Sequence, residues 1–301
     1  MNKKGIPRLR NKIATSGHIL SLYPIHKTVE ILGRNCYDAI EVWAEELEMQ
    51  LKRKETSIKK IKSALKKSGM VGVIHAPLHD LTHKFKEKYN ICSKNRKLRE
   101  KSIHESLWAL DIAHKLGFHV VTIHPGHTDS KEDVADKEYW RLLIDAFKQL
   151  AKRAEKLDVK IGVEPMENIP KEFVIAPKHL DRIISSVDSK NLGVTFDLVH
   201  TYTHGEKKPV EFIDQLHKEK IFHVHISGHT KEKTHVPFFM TRIHHRYFDK
   251  VIGMLVKNYS GIISIEGTIK GIMPLTKTNQ KFVVKKNMEY IHKELKSLHF
   301  S

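Results

Sequence analysis

The sequence predicts an α/β chain folded as a single (β/α)8 TIM barrel spanning residues 1–301, with a barrel core over about 12–292. Three observations carry that expectation. Short β-rich runs alternate with longer helix-like segments along nearly the whole chain, which is the order of right-handed βαβ units and a parallel sheet. Eight such pairs fit in 301 residues, a suitable length for eight units. No G-x-G-x-x-G follows the first strand, which weighs against the alternative, an open doubly wound sheet that binds a dinucleotide.

In order, the strand candidates are KIATSGHIL (12–20), AIEVW (39–43), VGVIHAP (71–77), HVVTIHP (119–125), KIGVEP (160–165), LGVTFD (192–197), IFHVHIS (221–227) and GIISIEG (261–267). All are rich in the branched and aromatic residues that strands favour. Helix candidates fall at 26–36, 56–68, 96–116, 137–156, 177–187, 209–219, 244–257 and 279–297. There is no low-complexity segment, linker-like stretch or internal repeat.

Residues two apart in a strand share a face. In LGVTFD, Thr195 and Asp197 oppose Val194 and Phe196. The same parity sets His75 against Ile74, and Thr122 and His124 against Val121 and Ile123. It sets Glu164 against Ile161 and Val163, His223 and His225 against Val224 and Ile226, and Ser264 and Glu266 against Ile263 and Ile265. Glu41 lies between Ile40 and Val42 in the same way. The apolar face suits packing against helices. The other face points into the barrel and ends, at the C-terminal side of each strand, on a titratable residue. Barrels of this type carry their active sites there. A strand buried on both faces otherwise reads as a nearly continuous apolar run, and burying several imidazoles and carboxylates without partners is costly. A divalent cation among them resolves that cost, and imidazole-rich sets suit Zn²⁺ or Mn²⁺, with Mg²⁺ or Co²⁺ as alternatives.

Composition bounds the setting. The chain is 40% hydrophobic and 29% charged, ordinary for a globular protein. No apolar run reaches the roughly 18 residues of a membrane span, and no apolar stretch of a secretory signal follows the basic start MNKKGIPRLRNK. Two cysteines make no disulfide framework, so a cytoplasmic location is expected. The net charge of +18 allows a phosphate-bearing partner, nucleic acid or metabolite. It also follows from lysine-rich solvated helix faces such as KRKETSIKKIKSALKKSG (52–69).

The stretches NCYDAIEVWAE, VIHAPLHDL, ESLWALDIAHKLGFHVVTIHPGH, IGVEPMEN, GVTFDLVHTYTHG, IFHVHIS and GIISIEG together resemble the xylose isomerase-like superfamily of TIM barrels. That superfamily includes sugar isomerases and epimerases and the endonuclease IV type of repair nuclease. The resemblance implies a principal divalent metal held by Glu164, Asp197, His225 and Glu266. His75, His124, His200 and His235 match further ligands of the nuclease's three-zinc cluster. Two departures from the nuclease are plain. Its Asp-x-His reads Lys233-Thr234-His235 here, and a lysine cannot replace a carboxylate ligand. Its early His-x-Ser is not matched by SGHILSLYP (16–24).

The favoured expectation is a metal-dependent isomerase or epimerase acting on a sugar or sugar phosphate. In it Glu164 and Glu266 are the acid/base pair, His200 and Glu41 orient substrate or ligands, and His75, His124 and Lys233 contact substrate. The alternative is zinc-dependent phosphodiester hydrolysis of abasic-site DNA, with the histidines as added ligands. A third reading keeps the metal without turnover. Lys207, Lys208, Lys231 and Lys233, with Arg242, His244 and His245, stand as candidate phosphate contacts or plain solvated loops.

Overall fold

The structure, a computed structural model, describes residues 11–81, 88–205, 208–230, 233–240 and 245–298. Eight parallel strands follow one another in chain order around a closed barrel, with helices between them. The strands are β1 (Lys12–Ser16), β2 (Ala39–Trp43), β3 (Val71–His75), β4 (Val120–Ile123), β5 (Lys160–Val163), β6 (Leu192–Asp197), β7 (Ile221–Ile226) and β8 (Ile262–Ile265). The chain divides into two compact units. One comprises Met1–Val42, Gln50–Gly72 and Val224–Ser301, and the other Trp43–Met49 and Val73–His223.

In the first unit, β1 pairs with β2 and with β8, and β7 pairs with β8, His225 lying opposite Ser264. Helix α1 (Ile25–Arg34) buries Ile25, Thr28, Val29 and Leu32, the one-sided spacing of an amphipathic helix, and packs on α3 (Ile58–Ser68). The Ser57 hydroxyl caps α3 by accepting from the Lys60 N–H, and Gly69 ends it in the left-handed conformation. Ile61, Ala64 and Leu65 face inward while Lys59, Lys60, Lys62, Lys66 and Lys67 are exposed. The 52–69 charge run is therefore a solvated helix face.

In the second unit, β3 to β6 are joined by α4 (Arg96–Leu116) and α5 (Lys137–Leu157), which pack on each other, and by α6 (Pro177–Val187). Asn95 and Asp136 cap α4 and α5. Thr122 on β4 and Thr195 on β6 share a buried 2.9 Å hydrogen bond although β5 lies between their strands. Such a bond crosses the barrel interior, so these side chains point inward, as the parity of their strands predicts. Gly162 on β5 makes the crossing possible, because a Cβ there would lie 2.1 Å from the Thr195 hydroxyl oxygen.

The first strand is shorter than predicted: residues 17–20 form a 3₁₀ turn with Ser16 accepting from the His18 N–H. Two helices arrive with no spacer after their strands, α2 (Ala44–Lys52) after β2 and α7 (Leu198–Tyr202) after β6. The remaining helices, α8 (Lys208–Gln215), α9 (His245–Asn258) and α10 (Lys277–Leu298), lie close to their predicted spans.

Candidate metal and catalytic site

The second unit gathers imidazoles around Glu164, which follows β5 and is 1% exposed. Its Oε2 lies 3.0 Å from His124 Nε2 and 3.5 Å from His75 Nε2, and its Oε1 3.6 Å from His200 Nδ1. His75, His124 and Glu164 each offer a ligand atom within 4.8 Å of the others. The rings are oriented by backbone. His75 Nδ1 lies 2.7 Å from the Ala76 carbonyl, and His200 Nδ1 lies 2.9 Å from that of Pro165. A carbonyl only accepts, so both Nδ1 atoms carry a proton, and in the neutral ring Nε2 is the acceptor. His75 also stacks on Trp43, with centroids 4.8 Å apart. Burial holds the His124 imidazole down to about 4 against the attraction and hydrogen bond of Glu164, with His75 and His200 lowering it further. The ring is neutral near pH 7, the form that ligates a cation.

Asp197 ends β6 and starts α7. Its Oδ1 accepts the His200 N–H at 2.6 Å, so the carboxylate at the strand end is also the cap of the short helix that carries His200. The Asp-x-x-His spacing is thus a local positioning device.

In the first unit, His225 on β7 lies between two carboxylates. Its Nε2 is 2.8 Å from Glu41 Oε1, and its Nδ1 is 3.1 Å from Glu266 Oε2. Glu41 and His225 are fully buried, and the Glu266 side chain is 13% exposed. With the Nε2 proton given to Glu41, an imidazole lone pair faces a carboxylate oxygen at close range. That donor set, one nitrogen and one oxygen, fits a divalent cation. His235 is further out, its Nδ1 3.3 Å from Ser227 Oγ and 3.9 Å from Glu266 Oε2. It is held by the Gly228–Val236 bridge at φ +52°, a left-handed backbone that a non-glycine residue adopts at some cost.

Lys233 is exposed, and its ammonium donates to the Gly271 carbonyl at 3.0 Å, joining the loops after β7 and β8. Lys208 pairs with Glu211 at 2.6 Å. Lys207, Lys231, Arg242 and His244 lie outside the described residues, and the side chain of His245 does as well.

Trp43 and Glu45 are not marked in the sequence as titratable strand-end residues. Trp43 has the parity of Glu41 on β2, which would have pointed to it. Glu45 is the second residue of α2, a helix the reading did not expect. Its Oε1 accepts the Leu78 N–H at 3.2 Å, and burial pushes its carboxyl up to about 7.

Known proteins resemble the chain over most of its length. Two uncharacterized proteins of Methanocaldococcus jannaschii are 29% identical over 227 residues (74% of this chain, 72% of that one) and 28% identical over 207 (67% and 72%). Among solved structures, a D-tagatose 3-epimerase-like protein superposes with a TM-score of 0.72 at 27% identity, covering 94% of this chain and 99% of its own. An L-ribulose 3-epimerase (TM-score 0.75, 96% of both chains) and a D-allulose 3-epimerase from Methylomonas sp. (0.69, 96% and 99%) share the fold at 15% identity. The family described as xylose isomerase-like TIM barrel matches residues 31–294, and the chain belongs to it.

Proposed function

We propose that the chain is a divalent-metal-dependent epimerase or isomerase of a ketose or ketose phosphate, with the cation held by Glu164, Asp197, His225 and Glu266. The observation that carries this reading is the pair of carboxylates set among imidazoles: Glu164 beside His75, His124 and His200, and Glu266 beside His225. All four proposed ligands stand at or just after the C-terminal ends of their strands, β5 to β8. The likeness to the D-tagatose 3-epimerase-like protein supports the substrate class.

When bound, the divalent ion supplies Lewis-acid polarisation of the substrate's carbonyl and adjacent hydroxyl. The chain supplies the proton traffic. Glu164 and Glu266 remove a proton from the carbon beside the carbonyl and return one, and delivery to the opposite face inverts that carbon. His200, with its proton committed to Pro165, presents Nε2 as an acceptor for a substrate hydroxyl. His75 and His124, oriented by their contacts, bracket Glu164 and shield it from bulk water.

Phosphodiester hydrolysis stays the second reading, because His75, His124 and Glu164 form a compact triad able to hold a second ion. A panel of ketoses, including tagatose, ribulose and allulose, and their phosphates, incubated in D₂O with Mn²⁺, separates the two. The proposal expects an epimer carrying deuterium beside the carbonyl, lost in Glu164→Gln and Glu266→Gln. No exchange with any member of the panel, together with cleavage of abasic-site DNA, would overturn it.

A further inference from the structure

Glu41 reaches across the barrel interior, from β2 to His225 on β7, with β1 and β8 between those strands. Neither side chain has any exposure, and the contact is 2.8 Å. A carboxylate at that depth needs donors, and the His225 imidazole N–H is one that faces it, with His223 also within 4.8 Å. A charge-assisted hydrogen bond fixes both the ring plane and the tautomer. With the proton on Nε2, the lone pair of Nδ1 is directed at Glu266 Oε2, 3.1 Å away.

We infer that Glu41 is a positioning residue: it accepts the His225 Nε2–H and holds the imidazole in the tautomer whose Nδ1 is free to ligate a divalent cation. The burial of Glu41 separates this role from substrate contact. Outer carboxylates of this kind are worth about 10–100-fold in metal affinity. The inference rests on the proposed metal reading of the site.

Mn²⁺ titration followed by electron paramagnetic resonance is the test, on wild type, Glu41→Gln, Glu41→Ala and the ligand variant His225→Gln. Glutamine keeps an acceptor oxygen, so Glu41→Gln is expected within a few-fold of wild type. Glu41→Ala is expected to bind about 10–100-fold more weakly. In the Zn²⁺-loaded protein, a downfield imidazole N–H proton resonance absent from His225→Gln should persist in Glu41→Gln and vanish in Glu41→Ala. Unchanged affinity in Glu41→Ala, or a Glu41→Gln as weak as Glu41→Ala, would overturn the positioning role while leaving the metal site standing. Failure of wild type to bind either ion would overturn the metal reading itself, and this inference with it. If Glu41→Ala does not fold, the Glu41→Gln affinity and its N–H resonance decide alone.

Discussion

Replacing Gly162 with alanine tests how the barrel interior supports Glu164, two residues further along the same face. The added Cβ would lie 2.1 Å from Thr195 Oγ1, 3.0 Å from its backbone N and 3.2 Å from its Cβ, where ordinary contact begins at 3.4 Å. Rotating Thr195 removes the worst overlap but breaks its 2.9 Å bond to Thr122, leaving two buried hydroxyls. An orphaned buried polar group costs about 1–3 kcal/mol, and overpacking a filled core adds about 1–3 kcal/mol. The expected loss is therefore about 2–6 kcal/mol, read from urea unfolding midpoints at unchanged m-value, in chelator so that no ion contributes. Thr195→Ala alone loses the same hydrogen bond. The two changes together should therefore cost less than their separate sum, by about 1–2 kcal/mol. A Gly162→Ala protein within about 0.5 kcal/mol of wild type, or strict additivity, would refute the argument that this glycine exists to let the threonine pair cross.

Asp197 caps α7 and is also a proposed ligand, and the two roles are separable. In chelator, Asp197→Asn keeps the cap on α7 and should unfold within about 0.5 kcal/mol of wild type, whereas Asp197→Ala should lose about 1 kcal/mol. Both should lose cation binding, and equal instability of the two variants would deny the cap. His127 is a pH probe. Burial, helped by the Lys88 ammonium, lowers its pKa from 6.5 to about 4. Between those values the unfolded chain binds the extra proton. The stability this group contributes is thus complete above pH 6.5 and is lost as pH falls toward 4. His127→Gln should flatten that limb of the stability curve, and an unchanged slope would count against the half-buried, neutral ring.

Much of the architecture was legible because parity and alternation are local. β2 and β6, and helices α4 and α6, occupy their predicted spans, 39–43, 192–197, 96–116 and 177–187. The helices α2 and α7 escaped because each begins on the residue after a strand, with no turn residues to announce it. Inward parity picked out Glu41, His75, Glu164, His225 and Glu266 as barrel-interior residues. It could not assign partners. Glu41 and His225 are 184 residues apart, and only closure of the sheet brings them into contact. Lys233 shows the converse limit. A lysine in a charged loop reads as either a phosphate contact or a solvated side chain, and the Gly271 carbonyl that its ammonium meets in the structure has no mark in sequence.

The most direct measurement is metal content per chain, by elemental analysis of tag-free protein never exposed to chelator. One divalent ion per chain is expected, lost in Glu164→Ala and in Glu266→Ala. Two or three zinc ions per chain would favour the phosphodiester reading, with the His75–His124–Glu164 triad occupied. No ion, even after reconstitution with Zn²⁺ or Mn²⁺, would mean that these strand-end carboxylates and imidazoles do not hold a divalent cation.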